Sequence, residues 1–328
     1  MKRVVWIDWS KAILIYLMAV GHCGVNEASF VFIYSFHMPA FYIISGFLYK
    51  EYDWQSTTRQ FLIPILFFSL INGTYFIAIE LLHNTFDPYS FIQKVYLPYL
   101  TSVTDTTPIV LLFPGFWFIF VLYICRLLMG DVRIFNPIKK YAPYIIITIS
   151  IYMWIEPHLA ISNQIKSMHL YKVIPCFPFI LIGYMLKKYP RIIRLPKFIL
   201  LFIIFIFPIL ITLNGHCDIY QHAFGQQYFI FLINAVVGSI ILFNLCSYLP
   251  HIKIATIFSC GTFLILASHL ILRNRIDECI SYTGLIFENN HFYPWSLVFI
   301  LFIIYYYPIL FLLRTFPILL GKKRKFIT

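Results

Sequence analysis

About ten apolar stretches of roughly 15 to 22 residues follow one another along this chain, separated by short polar connections. A helix of about 20 apolar residues crosses the hydrocarbon core of a bilayer. We therefore expect an all-α integral membrane protein with about ten transmembrane helices. The expected segments are 5–25, 29–48, 61–82, 112–129, 142–156, 171–186, 197–213, 227–246, 253–272 and 295–313.

Composition excludes a soluble globular protein. Apolar residues make up 61% of the chain and charged residues only 12%, against about 25% charged residues in soluble domains. A soluble core could not bury so much apolar surface. No repeat is present, and the longest expected outer connection, 83–111, is too short for a separate soluble domain, so we expect one transmembrane domain over 1–328. Pro175 and Pro178 are expected to kink or break the sixth segment.

The net charge of +12 indicates orientation in a membrane rather than a nucleic-acid partner, because the basic residues cluster between apolar segments. With both termini cytoplasmic, only five of the 25 Lys and Arg residues fall on the outer side. These five are Lys94, Lys166, Lys172, Arg273 and Arg275. The first apolar segment lacks a small-residue cleavage site, so we interpret it as a retained span.

The seven cysteines show neither a C-x-x-C pair nor the spacing of metal ligands, and we expect no metal. Cys217 and Cys279 fall in expected outer connections, 214–226 and 273–294, where a disulfide between them is possible. Most of the other cysteines lie in apolar segments, where cysteine behaves as a small hydrophobic residue.

The first segment carries a stripe of polar residues, Asp8, Lys11 and His22. Charged or imidazole side chains within a span are costly unless they face a cavity or a partner. His22 lies eleven positions after Lys11, which places both on one helix face about 16 Å apart along the axis. Asp8 lies one turn before Lys11 and can pair with it. The structural alternative is a snorkelling lysine and a histidine bonded to a neighbouring helix.

Two further histidines lie in predicted spans. His37 precedes Pro39, which frees a backbone carbonyl one turn earlier, and an imidazole there can simply donate to that carbonyl. His269 is expected near the outer face, where an interfacial histidine is the simpler interpretation. No phosphate-binding loop, H-E-x-x-H zinc motif or G-x-S-x-G elbow is present. The small number of buried acidic residues disfavours an ion-coupled transporter.

Several of these residues match a known pattern. Arg3, Asp8 and Lys11, then Gly21-His22, then Phe36-His37-Met38-Pro39 and Ser45-Gly46 resemble the membrane acyltransferase family 3. Weaker matches follow at Phe116-Trp117, Phe179…Gly183, Gly261…Ser268-His269 and Phe316-Pro317. The family consists of bacterial inner-membrane O-acetyltransferases that act on sugars and polysaccharides. This chain has only Arg59 before Leu62-Ile63-Pro64, with Gln60 at a position that is often basic in the family.

The resemblance implies a bacterial inner-membrane enzyme that moves an acetyl group from cytoplasmic acetyl-CoA to a sugar hydroxyl. His22 would be the general base, and His37 would orient the acceptor or stabilise the oxyanion. Lys11 and Arg59 would bind the phosphates of the donor, with Asp8 holding Lys11. Ser45, Trp117 and His269 would line the cavity or contact the acceptor.

Two other classes remain open. A carrier or flippase for lipid-linked saccharides, or a polysaccharide polymerase, is also rich in aromatic residues and has many spans. Such proteins would show charged pairs in several central spans or a large outer loop, and neither is obvious here. A sensor or assembly factor without activity would tolerate changes at Lys11 and His22.

Overall fold

The computed structural model describes residues 4–50, 54–89, 115–130, 132–282 and 291–322. Within these ranges the protein is helical except for one short hairpin, β1 (Cys217–Asp218) and β2 (Ala223–Phe224), whose strands pair antiparallel. The α-helices are α1 (Val5–Gly21), α2 (Glu27–Tyr34), α3 (His37–Phe47), α4 (Trp54–Leu82), α5 (Phe116–Gly130), α6 (Val132–Lys140), α7 (Ala142–Ile155), α8 (Asn163–Ser167), α9 (Val173–Leu186), α10 (Lys197–Asn214), α11 (Tyr228–Ser247), α12 (Lys253–Cys260), α13 (Thr262–Ser281) and α14 (Tyr293–Thr315).

Helices occupy all ten predicted segments, but two segments are divided. The second is interrupted between α2 and α3, where Phe36 leaves the helical conformation at φ −146°. The ninth bends by 77° between α12 and α13, at Gly261. Over the described residues, α2–α3, α4, α10, α11 and α14 are each long and apolar enough to cross a membrane, and α12–α13 adds a sixth if it is one bent span. The finer prediction of ten passes is not confirmed by this criterion.

The outer surface of the helices is apolar. On α10 a row of large side chains faces away from the protein, with exposures of 53–77% at Phe198, Leu201, Phe202, Phe205, Ile209 and Leu213. Water would not tolerate so large an apolar face on a monomer, whereas lipid does. This surface and the long apolar helices together indicate a multi-pass membrane protein.

The tightest packing in the fold joins α3 to α9. A Cβ atom added to Gly46 would lie 2.0 Å from the carbonyl oxygen of Ile180, and one added to Gly183 would lie 2.0 Å from that of Ile43. Only glycine allows the two backbones to approach so closely, as small residues do at helix crossings in membranes. This crossing fixes α3, and therefore His37 at its start.

Three expectations about the connections need correction. The sixth segment is not broken, because α9 continues from Val173 to Leu186 with Pro178 inside it. The connection expected at 273–294 is helical through Ser281, which places Arg273, Arg275 and Cys279 on α13. Cys217 and Cys279 are both free thiols, the first buried and the second exposed. Residues 90–111 of the expected connection 83–111 lie outside the described residues.

Candidate functional site

His22 lies at the far end of α1 from the N-terminus. The helix ends at Gly21, His22 is its C-cap, and Gly24 adopts a left-handed φ of 71° that turns the chain toward α2. The first predicted span continued to residue 25, so His22 was expected inside the helix; in the structure it lies at the helix end. The residue is exposed at the surface formed by the described residues.

Two other imidazoles lie near the His22 end of α1. The ring centroid of His269 lies 5.3 Å from that of His22. Tyr34 lies beside Gly21 and its ring centroid lies 5.0 Å from that of His37. The structure therefore brings together His22, His37 and His269, which come from three separate predicted spans.

Backbone contacts fix the tautomers of two of these rings. Nδ1 of His37 donates to the carbonyl oxygen of Ile33 at 2.7 Å. Nδ1 of His269 donates to the carbonyl oxygens of Ile265 and Leu266 at 3.0 and 3.1 Å. Because a carbonyl only accepts, Nδ1 carries the proton in each ring, and Nε2 of the neutral ring keeps its lone pair. Both histidines are buried, with 3% and 2% exposure.

The His37 ring bonds a backbone carbonyl, as its structural alternative expected, but this carbonyl belongs to Ile33 and not to the residue four positions before Pro39. Ile33 belongs to the last turn of α2, whose carbonyls lack a continuing helix, and the His37 ring satisfies one of them. Nε2 of His269, in contrast, is buried without a hydrogen-bond partner among the described residues. Within those residues, the ring of His22 makes no hydrogen bond either.

A residue not predicted from the sequence holds this end of α1. Nη1 of Arg273 donates to the carbonyl oxygen of His22 at 3.0 Å. Arg273 was assigned to an outer loop because hydropathy falls after residue 272. The signal that could have found it is its position four residues after His269, which places both on one face if the helix continues.

Asp8 and Lys11 form a separate polar contact nearer the N-terminus of α1. The buried Asp8 carboxylate accepts hydrogen bonds from Ser259 Oγ at 2.8 Å and Thr256 Oγ1 at 3.2 Å. Lys11 Nζ donates to the carbonyl oxygen of Ser259 at 2.8 Å. Both side chains thus bind α12, and Ser259 connects them.

The remaining predicted site residues do not join the histidines through any hydrogen bond or ring contact in the described parts of the chain. Arg59 is exposed on α4. Ser45 Oγ is buried on α3 without a hydrogen-bond partner among the described residues. The Trp117 ring on α5 lies 5.9 Å from that of Tyr220, next to the hairpin.

The hairpin carries titratable groups shaped by burial. Burial raises the pKa of Asp218, although backbone hydrogen bonds from Tyr220 and Gln221 oppose the shift. Burial lowers the pKa of His222, and the negative charge of Glu156 opposes this shift. The Glu156 carboxylate lies 3.5 Å from the His222 ring. Glu156 also pairs with Lys166 at 2.7 Å. These contacts join the hairpin to the connection between α7 and α9.

Two other features bear on ligand binding. A groove of about 300 Å³ between α7 and α11 is lined mainly by apolar side chains such as Ile147, Trp154 and Phe229, and none of the predicted site residues lines it. Over the described residues, no group of three or more His, Cys, Asp or Glu side chains is arranged to hold a metal ion.

Comparison with known proteins identifies no relative. No protein-family model matches the chain, and neither a curated protein nor a solved structure is significantly similar to it. The resemblance to membrane acyltransferase family 3 therefore depends on the residues quoted for it.

Proposed function

We propose that this protein is a bacterial inner-membrane O-acyltransferase that moves an acetyl group from cytoplasmic acetyl-CoA to a sugar hydroxyl of a surface glycan or its lipid-linked precursor. The observation that carries the proposal is the exposed position of His22, whose ring centroid lies 5.3 Å from that of His269. An accessible imidazole with no hydrogen bond from the described protein is free to take a proton from a ligand.

The proposed reaction uses His22 as a proton shuttle. As the acceptor hydroxyl attacks the carbonyl carbon of the thioester, its proton passes to His22 and the carbonyl oxygen becomes negative. When that oxygen re-forms the carbonyl, the carbon–sulfur bond breaks and the thiolate recovers the proton from His22. A general base of this kind contributes roughly 10²–10⁴-fold in rate.

The two other histidines have supporting roles in this proposal. Their Nδ1 protons are held by backbone carbonyls, so each neutral ring offers an Nε2 acceptor. An acceptor of this type can orient a sugar hydroxyl toward the thioester, and we assign that role to His37. The unpartnered Nε2 of the buried His269 suits a second hydroxyl of the acceptor.

The donor would be bound on the side expected to be cytoplasmic. Arg59, near the start of α4, is exposed and makes no hydrogen bond or ion pair with the described residues, which suits a ligand phosphate. Lys11 Nζ bonds a carbonyl of α12, so Lys11 would both bind the donor and hold α1 against α12. Asp8 stabilises the same contact.

Contacts between connecting segments support ten passes with both termini in the cytoplasm. Trp9 Nε1 donates to the carbonyl oxygen of Pro250 at 2.7 Å, and Lys187 Nζ donates to that of Tyr49 at 2.6 Å. Trp9 lies near the expected cytoplasmic end of the first predicted span, and the other three residues lie in connections expected on the cytoplasmic side. On the other side, the ring of His216 stacks on that of Phe30 at 4.6 Å.

The test is acetyl transfer by the purified protein in lipid nanodiscs, measured as release of free CoA from acetyl-CoA in the presence of surface glycan. Mass analysis of glycans from cells with and without the gene would then identify the acceptor by the added acetyl mass. We expect His22→Ala to lose the activity and the exposed His158→Ala control to keep it. Full activity of His22→Ala in correctly inserted protein would refute the assignment.

A carrier for lipid-linked saccharides is the second candidate, and the 77° bend between α12 and α13 is the observation that favours it. Transporters commonly bind substrates where spanning helices are interrupted, and Asp8 and Lys11 contact α12 just before this bend. A carrier would move a labelled lipid-linked saccharide across proteoliposomes without consuming acetyl-CoA, whereas an acyltransferase would consume it.

A further inference from the structure

One face of α13 carries a polar row directed at the end of α1. His269, Arg273 and Asp277 are spaced four residues apart, so they follow one another along the same helix face. The Arg273 guanidinium bridges two groups, because Nε donates to Asp277 Oδ2 at 2.9 Å and Nη1 donates to the carbonyl oxygen of His22 at 3.0 Å. Tyr293, at the start of α14, donates its hydroxyl proton to Asp277 Oδ1 at 2.5 Å.

The end of α1 needs such a partner. The last carbonyls of a helix have no partner within the helix, and they carry the negative end of its dipole. The last turn of α1 contains no basic residue that could compensate them. Arg273 therefore supplies from another helix the cation that α1 lacks, and its target is the carbonyl of His22 itself.

We propose that Arg273 is a positioning residue for His22, an inference that rests on the acyltransferase function proposed above. Arg273 fixes the carbonyl of His22 and so the direction in which the imidazole leaves the end of α1. Asp277 fixes the guanidinium, and Tyr293 fixes Asp277. The bent α12–α13 unit thereby keeps the ring of its own His269 at a fixed distance and orientation from the ring of His22.

Arg275 provides a matched control two residues along the same helix. It pairs with Glu278 at 2.6 Å, and the side chains of this pair are 48% and 51% exposed. Arg275→Ala removes the same charge from the same turn of α13 without touching His22. Differences between Arg273→Ala and Arg275→Ala thus report the contact with His22 rather than net charge.

The first measurement is kcat and KM for acetyl-CoA in nanodiscs. A misplaced catalytic group costs up to about 10²-fold in rate, so we expect Arg273→Ala to lower kcat by about that factor while KM stays within about twofold. Arg273→Lys should recover part of kcat, because an ammonium group can still reach a carbonyl but cannot bridge to Asp277 in the same geometry. Asp277→Asn keeps the guanidinium but loosens its orientation, and it serves if Arg273→Ala does not fold.

The second measurement does not depend on activity. Hydrogen exchange followed by mass spectrometry should show that the last turn of α1, where His22 N donates to Ala19 O at 3.2 Å, exchanges several-fold faster in Arg273→Ala than in Arg275→Ala. Equal exchange or equal kcat in the two variants would overturn the positioning role. A wild-type protein without acetyl transfer would instead refute the acyltransferase, and hydrogen exchange alone would then decide whether Arg273 holds His22.

Discussion

The two ends of α1 are both held by the bent α12–α13 unit, but they use their polar residues differently. Near the N-terminus, Asp8 and Lys11 direct their charged groups to Ser259 and Thr256 on α12. At the other end, Arg273 of α13 contacts His22 through the backbone carbonyl of that residue, and the imidazole of His22 stays exposed. The first contact satisfies buried charges, whereas the second holds a helix end while a titratable ring remains available to a ligand.

This contrast shows how polar residues in one membrane helix can have two purposes. An uncompensated charge inside a span is costly, so Asp8 must be paired wherever it is buried. A neutral imidazole at a solvent-accessible end carries a smaller cost and can stay unpartnered. Substitutions can therefore separate stability at one end of α1 from chemistry at the other.

The largest expected effect is that of His22→Ala on catalysis. Loss of a general base should lower kcat for acetyl transfer by about 10²–10⁴-fold, while the unfolding temperature stays close to that of the wild type. The ring makes no hydrogen bond with the described residues, so its removal leaves no donor or acceptor unsatisfied there. A large fall in unfolding temperature with unchanged kcat per folded molecule would mean that His22 contributes to stability and not to catalysis.

Asp8→Asn should have the opposite profile. Removal of one partner from a buried charged contact costs about 3 kcal/mol, and Lys11 would lose the nearby negative charge. We expect a lower unfolding temperature and less inserted protein, while acetyl transfer per folded molecule stays within about twofold. Asp87→Asn, at an exposed position after α4, is the control and should behave as the wild type.

Gly183→Ala tests whether activity at the His22 end of α1 depends on the packing of α3 against α9. Its new methyl group would lie 2.0 Å from the carbonyl oxygen of Ile43, so α3 and α9 must separate, at a cost of about 1–3 kcal/mol. Because α3 begins at His37, we expect activity to fall together with the unfolding temperature. Gly215→Ser, at a glycine with open space around it, controls for loss of glycine but carries its own backbone strain at φ 72°. An unchanged unfolding temperature in Gly183→Ala would contradict the close crossing.

The sequence predicted the helices because long apolar stretches leave few other structures, and it predicted the polar face of α1 because helical geometry is regular. The break at Phe36 lies within one turn of Pro39, where an opening was expected, but the break at Gly261 could not be predicted, because it depends on how neighbouring helices pack. Arg273 and Asp277 were missed because a charged stretch after an apolar one has the composition of a loop. The approach of His269 to His22 joins residues 247 positions apart, and hydropathy carries no information about such a contact.

The smallest expected effect concerns donor binding by Arg59, near the start of α4. If Arg59 binds a phosphate of acetyl-CoA from its exposed position, an exposed ion pair contributes at most about 1 kcal/mol, or roughly a fivefold change in affinity. Arg59→Gln should therefore raise KM for acetyl-CoA by up to about fivefold and leave kcat unchanged, and the effect should shrink as salt increases because exposed charges are screened. Arg191→Gln removes a comparable exposed charge from another segment expected on the same side, and its KM should stay at the wild-type value. Equal KM values for the two variants at low salt would remove Arg59 from the donor site. A fall in kcat for Arg59→Gln would mean that Arg59 takes part in the chemistry assigned to His22.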